Sequence, residues 1–148
     1  MNKVNAEVTD TIDAPPSAVW PILEDFGNIT RWVPGIDQVD IVGEGIGMIR
    51  RLHIDGLAEP IDEQLSMMNA EAFTFSYRIP KGLPFPLKNY SATAMLKALD
   101  EEQCQVIWRS DCEADGISIE DATAMLEGTY AQLIGWLKGY FNARNKSA

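Results

Sequence analysis

Histidine and cysteine are almost missing from this 148-residue chain, which has one histidine, His53, and two cysteines, Cys104 and Cys112. Zinc sites take three or four ligands drawn mainly from those residue types and carboxylates. No zinc or iron centre is therefore expected, and nothing in the sequence implies a cofactor. A serine or cysteine nucleophile activated by a histidine base has no support either, because His53 falls with Arg51 on a strand face that reads as solvated. The two cysteines stand eight residues apart on one stretch that reads as a single strand. That spacing is out of disulfide reach, so both read as small apolar side chains. Cations are scarce as well: 12 Lys and Arg face 22 Asp and Glu, for a formal net charge of −10. Nucleic-acid binding relies on cations that neutralise phosphates, and docking on anionic lipid asks for the same balance; both are excluded as expectations. No apolar run is long enough for a membrane-spanning helix. The sequence opens without a signal-peptide pattern, and a reducing, cytoplasmic setting is expected. Internal repeats, linkers and low-complexity segments are also lacking.

The length suits one domain, residues 1–148, able to bury a core without disulfides. Residues 3–12 alternate as a strand. Asp13-Ala14-Pro15-Pro16 is a helix-start signal, followed by a short helix from Ser17 to about Asp25 that carries Pro21 inside it. A second short turn of helix covers 28–32, stopped by Pro34-Gly35. Six strands follow at short spacing: 37–42, 46–54, 59–68, 72–79, 90–99 and 104–114. Ser118-Ile119-Glu120-Asp121 resembles a capping-box opening. It starts a long helix to about Asn142 with an apolar stripe through Met125/Leu126, Thr129/Tyr130, Leu133/Ile134, Leu137 and Tyr140/Phe141, read as one packed face. Consecutive hairpins and one long helix predict an α+β fold with an antiparallel meander.

Two charges interrupt apolar strand faces. One face of 46–54 reads Ile46, Met48, Arg50, Leu52, Ile54, and one face of 59–68 reads Ile61, Glu63, Leu65, Met67. A hairpin turning at Gly56-Leu57 brings the two faces together and sets Arg50 opposite Glu63, at a Cβ separation of about 4.5–5.5 Å, whereas a turn centred on Asp55-Gly56 shifts the pairing by two and makes them diagonal neighbours on the same face. Burying such a pair among Leu, Ile and Met is costly. A cavity holding a polar part of a ligand accounts for it; a structural ion pair accounts for it equally.

The order of elements, together with Trp32-Val33-Pro34-Gly35, Gly45-Ile46-Gly47-Met48-Ile49-Arg50, Glu63-Gln64-Leu65, Tyr77-Arg78-Ile79, Asn89-Tyr90-Ser91-Ala92-Thr93 and Trp108-Arg109-Ser110, resembles the START/Bet v 1-like (SRPBCC) superfamily. The nearest part is the bacterial polyketide cyclase/dehydrase and lipid-transport group. The resemblance implies a helix-grip fold, in which a seven-stranded antiparallel sheet wraps a long C-terminal helix and two short helices follow the first strand. It also implies a hydrophobic ligand cavity between sheet and helix. Gly47-x-x-Arg50 and Glu63-x-Leu65 resemble the lachrymatory factor synthase branch, which implies acid/base roles for Arg50 and Glu63. Gly56-Leu57-Ala58 is similar to the gate loop of plant abscisic-acid receptors, with Ala58 where those carry proline.

The expected site is therefore Arg50 and Glu63 as the catalytic pair, with Phe75, Tyr77, Tyr90, Trp108, Leu126 and Tyr130 shaping the pocket. The expected activity is binding of a small hydrophobic, partly oxygenated ligand, with cofactor-independent cyclase, dehydratase or isomerase chemistry open. A non-catalytic hydrophobe carrier is the alternative. So is an interaction module, a homodimer among its forms, working through the proline-stiffened loop 80–88 and its Leu83, Phe85 and Leu87. Trp20, Trp32 and Trp136 are read as packing residues.

Overall fold

A computed structural model describes residues 2–147, with side chains as far as Asn142. Strand β1 (Lys3–Ile12) is followed by helix α1 (Pro16–Glu24) and a 3-10 segment (Phe26–Arg31). Then come β2 (Ile36–Val42), β3 (Ile49–Ile54), β4 (Ile61–Asn69), β5 (Thr74–Lys81), β6 (Leu87–Ala98) and β7 (Cys104–Ala114), and finally helix α2 (Ile119–Ser147). The strands form one antiparallel sheet in the order β1-β7-β6-β5-β4-β3-β2. β2 to β7 are a meander, and β1 joins it at the β7 edge. This is the α+β helix-grip architecture.

Local chemistry explains the main elements. Pro15 and Pro16 begin α1 where a missing N–H costs nothing, and the helix ends after nine residues with Pro21 inside it. The Ser118 hydroxyl accepts from the Asp121 N–H at 3.0 Å and caps α2, whose first turn carries Glu120 and Asp121. At 29 residues α2 is roughly 43 Å long, enough to cross the whole sheet. Its stripe Ala122, Leu126, Tyr130, Ile134, Leu137 and Phe141 is buried against the concave sheet face. Cys104 and Cys112 are free and buried on β7.

Bulges bend the sheet around the helix. Where β4 pairs with β5 the register shifts between Asp62 and Gln64, with the extra residue on β5, and between Leu65 and Met67, with the extra residue on β4; a further shift lies between Lys88 and Ser91 where β6 runs along β7. The bulge between Leu65 and Met67 corrects the predicted alternation: Met67 is turned out, 36% exposed, while Leu65 stays buried. β3 starts later than predicted. Gly45 and Gly47 both have positive φ and hold residues 45–48 in a turn, which leaves Ile46 61% exposed rather than on the inner face. β4 begins after Pro60, and β5 begins after Phe73, whose φ of 49° breaks the strand. β6 begins at Leu87, so the connection after β5 shrinks to residues 82–86, and Leu87 is buried as a strand residue. Leu83 and Phe85 are half-buried against the core.

Candidate functional site

Between the sheet, the 3-10 segment and α2 lies a cavity of about 810 Å³. Its walls are mostly apolar, including Leu52, Ile54, Ile61, Ile79 and Leu133. Three loop segments line it as well: Pro34-Gly35, Asp55-Gly56-Leu57 and Pro84-Phe85. From α2 come Thr129, Tyr130, Gln132, Leu133 and Trp136.

The β3–β4 register places Arg50 opposite Glu63, as the alternation of apolar residues predicts, and both line the cavity. Arg50 Nε donates to Glu63 Oε1 at 2.7 Å, and Arg50 Nη1 donates to the Phe26 carbonyl at 2.9 Å. The guanidinium carbon sits 3.8 Å from the Phe26 ring centre and 5.5 Å from that of Tyr77. One buried cation is thus held by a carboxylate, a carbonyl and two rings, the satisfaction a buried charge requires. Glu63 keeps 12% of its side-chain surface open, and its second oxygen has no hydrogen bond among the described residues.

Tyr77, Tyr90, Trp108 and Tyr130 all line the cavity. The Trp108 indole N–H donates to the Tyr77 oxygen at 3.2 Å, and the hydroxyls of Tyr90 and Tyr130 hydrogen-bond each other between β6 and α2. Burial pushes the phenols of Tyr77 and Tyr90 up in pKa, and that of Tyr130 up to about 12. All three therefore remain protonated donors at neutral pH.

Two predicted pocket residues lie elsewhere. Phe75 is buried in an aromatic layer, with Trp20, Phe26, Tyr77 and Trp108 rings at 6.5, 6.0, 6.0 and 6.0 Å, and Leu126 is fully buried in the helix–sheet core. Neither lines the cavity: the Phe75 ring is packed against those of Phe26, Tyr77 and Trp108, and Leu126 is enclosed in the core. Trp20 and Trp32 are buried packing residues as predicted, whereas Trp136 lines the cavity. The packed helix face read from the sequence is split: Thr129 and Leu133 turn to the cavity with Gln132 and Trp136, at spacings of three and four that are the available signal for Trp136. His53 lies on the opposite sheet face, its Nε2 2.7 Å from Asp40 Oδ2. Among the described residues, no three His, Cys, Asp or Glu side chains gather as a metal site, and no helix is long and apolar enough to cross a membrane.

The family model for polyketide cyclase/dehydrase and lipid transport proteins matches residues 3–142. Solved structures of similar shape include protein XoxI from Bacillus cereus, with a TM-score of 0.83 at 24% identity, covering 93% of this chain and 95% of that one. An aromatase/cyclase from a Streptomyces species superposes with a TM-score of 0.73 at 21% identity over 97% of this chain and 94% of that one. Norcoclaurine synthase from Thalictrum flavum gives 0.75 at 14% identity over 93% and 85% of the two chains. At these identities the structural likeness speaks for the fold.

Proposed function

The chain belongs to the polyketide cyclase/dehydrase and lipid transport family of START/Bet v 1-like proteins, and on that premise we propose that its cavity binds a small, largely apolar, oxygenated molecule and performs acid/base chemistry on it, of the cyclisation, dehydration or isomerisation kind. The observation that carries this reading is Glu63: a carboxylate on an apolar wall, fixed through one oxygen by Arg50 and unengaged at the other. In this reading the open oxygen removes a proton from a carbon next to a ligand carbonyl. The Tyr77 O–H, whose oxygen already accepts from Trp108, donates to the enolate oxygen that forms. Arg50 keeps Glu63 in place through the transfer. Glu63 then returns the proton, either to carbon in an isomerisation or to a departing hydroxyl, which leaves as water in a dehydration.

The size and apolar lining of the cavity suit a carrier as well, and one experiment separates the two. 2-Tetralone is mixed with the protein in heavy water, and exchange of its α-protons is followed by NMR. Accelerated exchange that falls by ~10²-fold or more in Glu63→Gln supports the enzyme. Binding without accelerated exchange, equal in wild type and Glu63→Gln, moves the chain to the carrier reading. The reading of loop 80–88 as a protein-docking element has less to work with, since Leu83 and Phe85 pack on the core and Leu87 is buried.

A further inference from the structure

Charge around the cavity is one-sided. Among the described residues, its wall carries one cation, Arg50, and two anions, Glu63 and Asp55, with neither lysine nor histidine. The Arg50 charge is already matched by Glu63 at 2.7 Å, and a further N–H of the guanidinium is taken by the Phe26 carbonyl at 2.9 Å. Asp55, at the β3–β4 turn, has no ion pair among the described residues. The net charge of −10 on the chain adds a field of the same sign.

We propose that this cavity accepts neutral or amine-bearing ligands and excludes carboxylates, free fatty acids among them. The inference rests on the reading that the cavity binds a small molecule, and it narrows that reading to a chemical class. A carboxylate entering the cavity leaves water and meets a guanidinium whose charge is already neutralised. Any N–H it reaches belongs to an ion pair of zero net charge, so its desolvation goes uncompensated. An alcohol or carbonyl loses far less on leaving water and is met by the Tyr77 O–H, which the Trp108 bond leaves free to donate. An ammonium group finds the open Glu63 oxygen and Asp55, and forms charge-assisted hydrogen bonds.

The test is calorimetric titration of the full chain with 1-octanol, octylamine and octanoate near neutral pH. Octanol and octylamine are expected to bind, with octanoate weaker than octanol by about tenfold or more. Glu63→Gln leaves the guanidinium charge unmatched, and octanoate is expected to gain about tenfold relative to octanol. Asp55→Asn, at an exposed turn where folding is not at stake, is expected to narrow the gap severalfold. Octanoate binding to the wild type as tightly as octanol overturns the assignment and leaves the binding reading standing. A ratio unmoved by both variants also overturns it. If none of the three binds, the binding reading itself fails and the assignment falls with it.

Discussion

The indole N–H of Trp108 donates to the phenol oxygen of Tyr77 at 3.2 Å, from β7 across to β5. The bond occupies the oxygen as an acceptor and so aims the Tyr77 proton elsewhere, which on this wall means the cavity. Replacing Tyr77 with Phe removes the acceptor and leaves a buried indole N–H unpaired. A stability loss of about 1–3 kcal/mol is expected in urea denaturation. The Trp108 fluorescence of the folded variant should shift as its N–H loses its partner; an unchanged spectrum and stability would contradict the pairing.

Arg50 and Glu63 are expected to show strong coupling. Arg50→Met strands the Glu63 carboxylate on an apolar wall, at a cost of about 3–5 kcal/mol. Replacing both, Arg50→Met with Glu63→Leu, removes both charges and should recover most of that loss. Denaturation midpoints of the singles and the double form the cycle. A double variant no more stable than Arg50→Met alone would count against a buried pair.

Two glycines with similar backbone angles should behave differently. Gly56 has a φ of 92° with open space around its Cα, whereas Gly82, at 80°, faces the Pro60 carbonyl, which an added Cβ would strike. Gly56→Ala should cost about 1 kcal/mol, the backbone strain alone. Gly82→Ala must also push the 82–86 connection off the start of β4, and at least twice that loss is expected in thermal or urea unfolding.

Alkali should destabilise the fold by a route that can be traced. Burial raises the Cys104 thiol from 9.0 to about 11 and the Tyr130 phenol from 10.0 to about 12. Each group is protonated in the fold while the unfolded chain has begun to lose its proton, so the unfolded state binds fewer protons and stability falls as pH rises. The stabilisation is complete below the unfolded values and is lost progressively over pH 9.0 to about 11 for Cys104 and 10.0 to about 12 for Tyr130. Unfolding free energies measured from neutral pH upward should decline beyond pH 9.0, by about 1.4 kcal/mol per pH unit for each group titrating. Cys104→Ala should reduce the earlier part of the decline, leaving the share of Cys112, whose thiol burial also raises. A profile flat to pH 11 would contradict both shifts.

The sequence is legible wherever a period is unbroken. Arg50 and Glu63 could be paired because Leu52 and Ile61 continue the same stripe on either side of a short turn. The α2 core face could be read because Leu126, Tyr130, Ile134 and Leu137 keep helical spacing. Reading fails where the chain slips. The bulge between Leu65 and Met67 turns Met67 outward, and nothing in the local residue types announces it. Lining is harder to read than burial. Phe75 and Leu126 are as apolar as any cavity residue, yet which buried side chain meets empty space depends on how its neighbours pack, as the rings of Phe26 and Trp108 do around Phe75. Trp136 shows the converse, a large aromatic left half-buried at the cavity wall.

The hydroxyl contact between Tyr90 and Tyr130 acts as an alignment mark. A greasy helix lying in a greasy trough can slide or roll by one turn and still hide nearly the same area from water, because dispersion and solvent exclusion carry little directional information. Two phenols that must meet tip to tip tolerate no such displacement. The join therefore sets both the rotation and the axial position of α2, and with them which of its side chains look into the cavity. A chain lacking it should keep its helix and its sheet, but present a cavity whose shape varies from molecule to molecule.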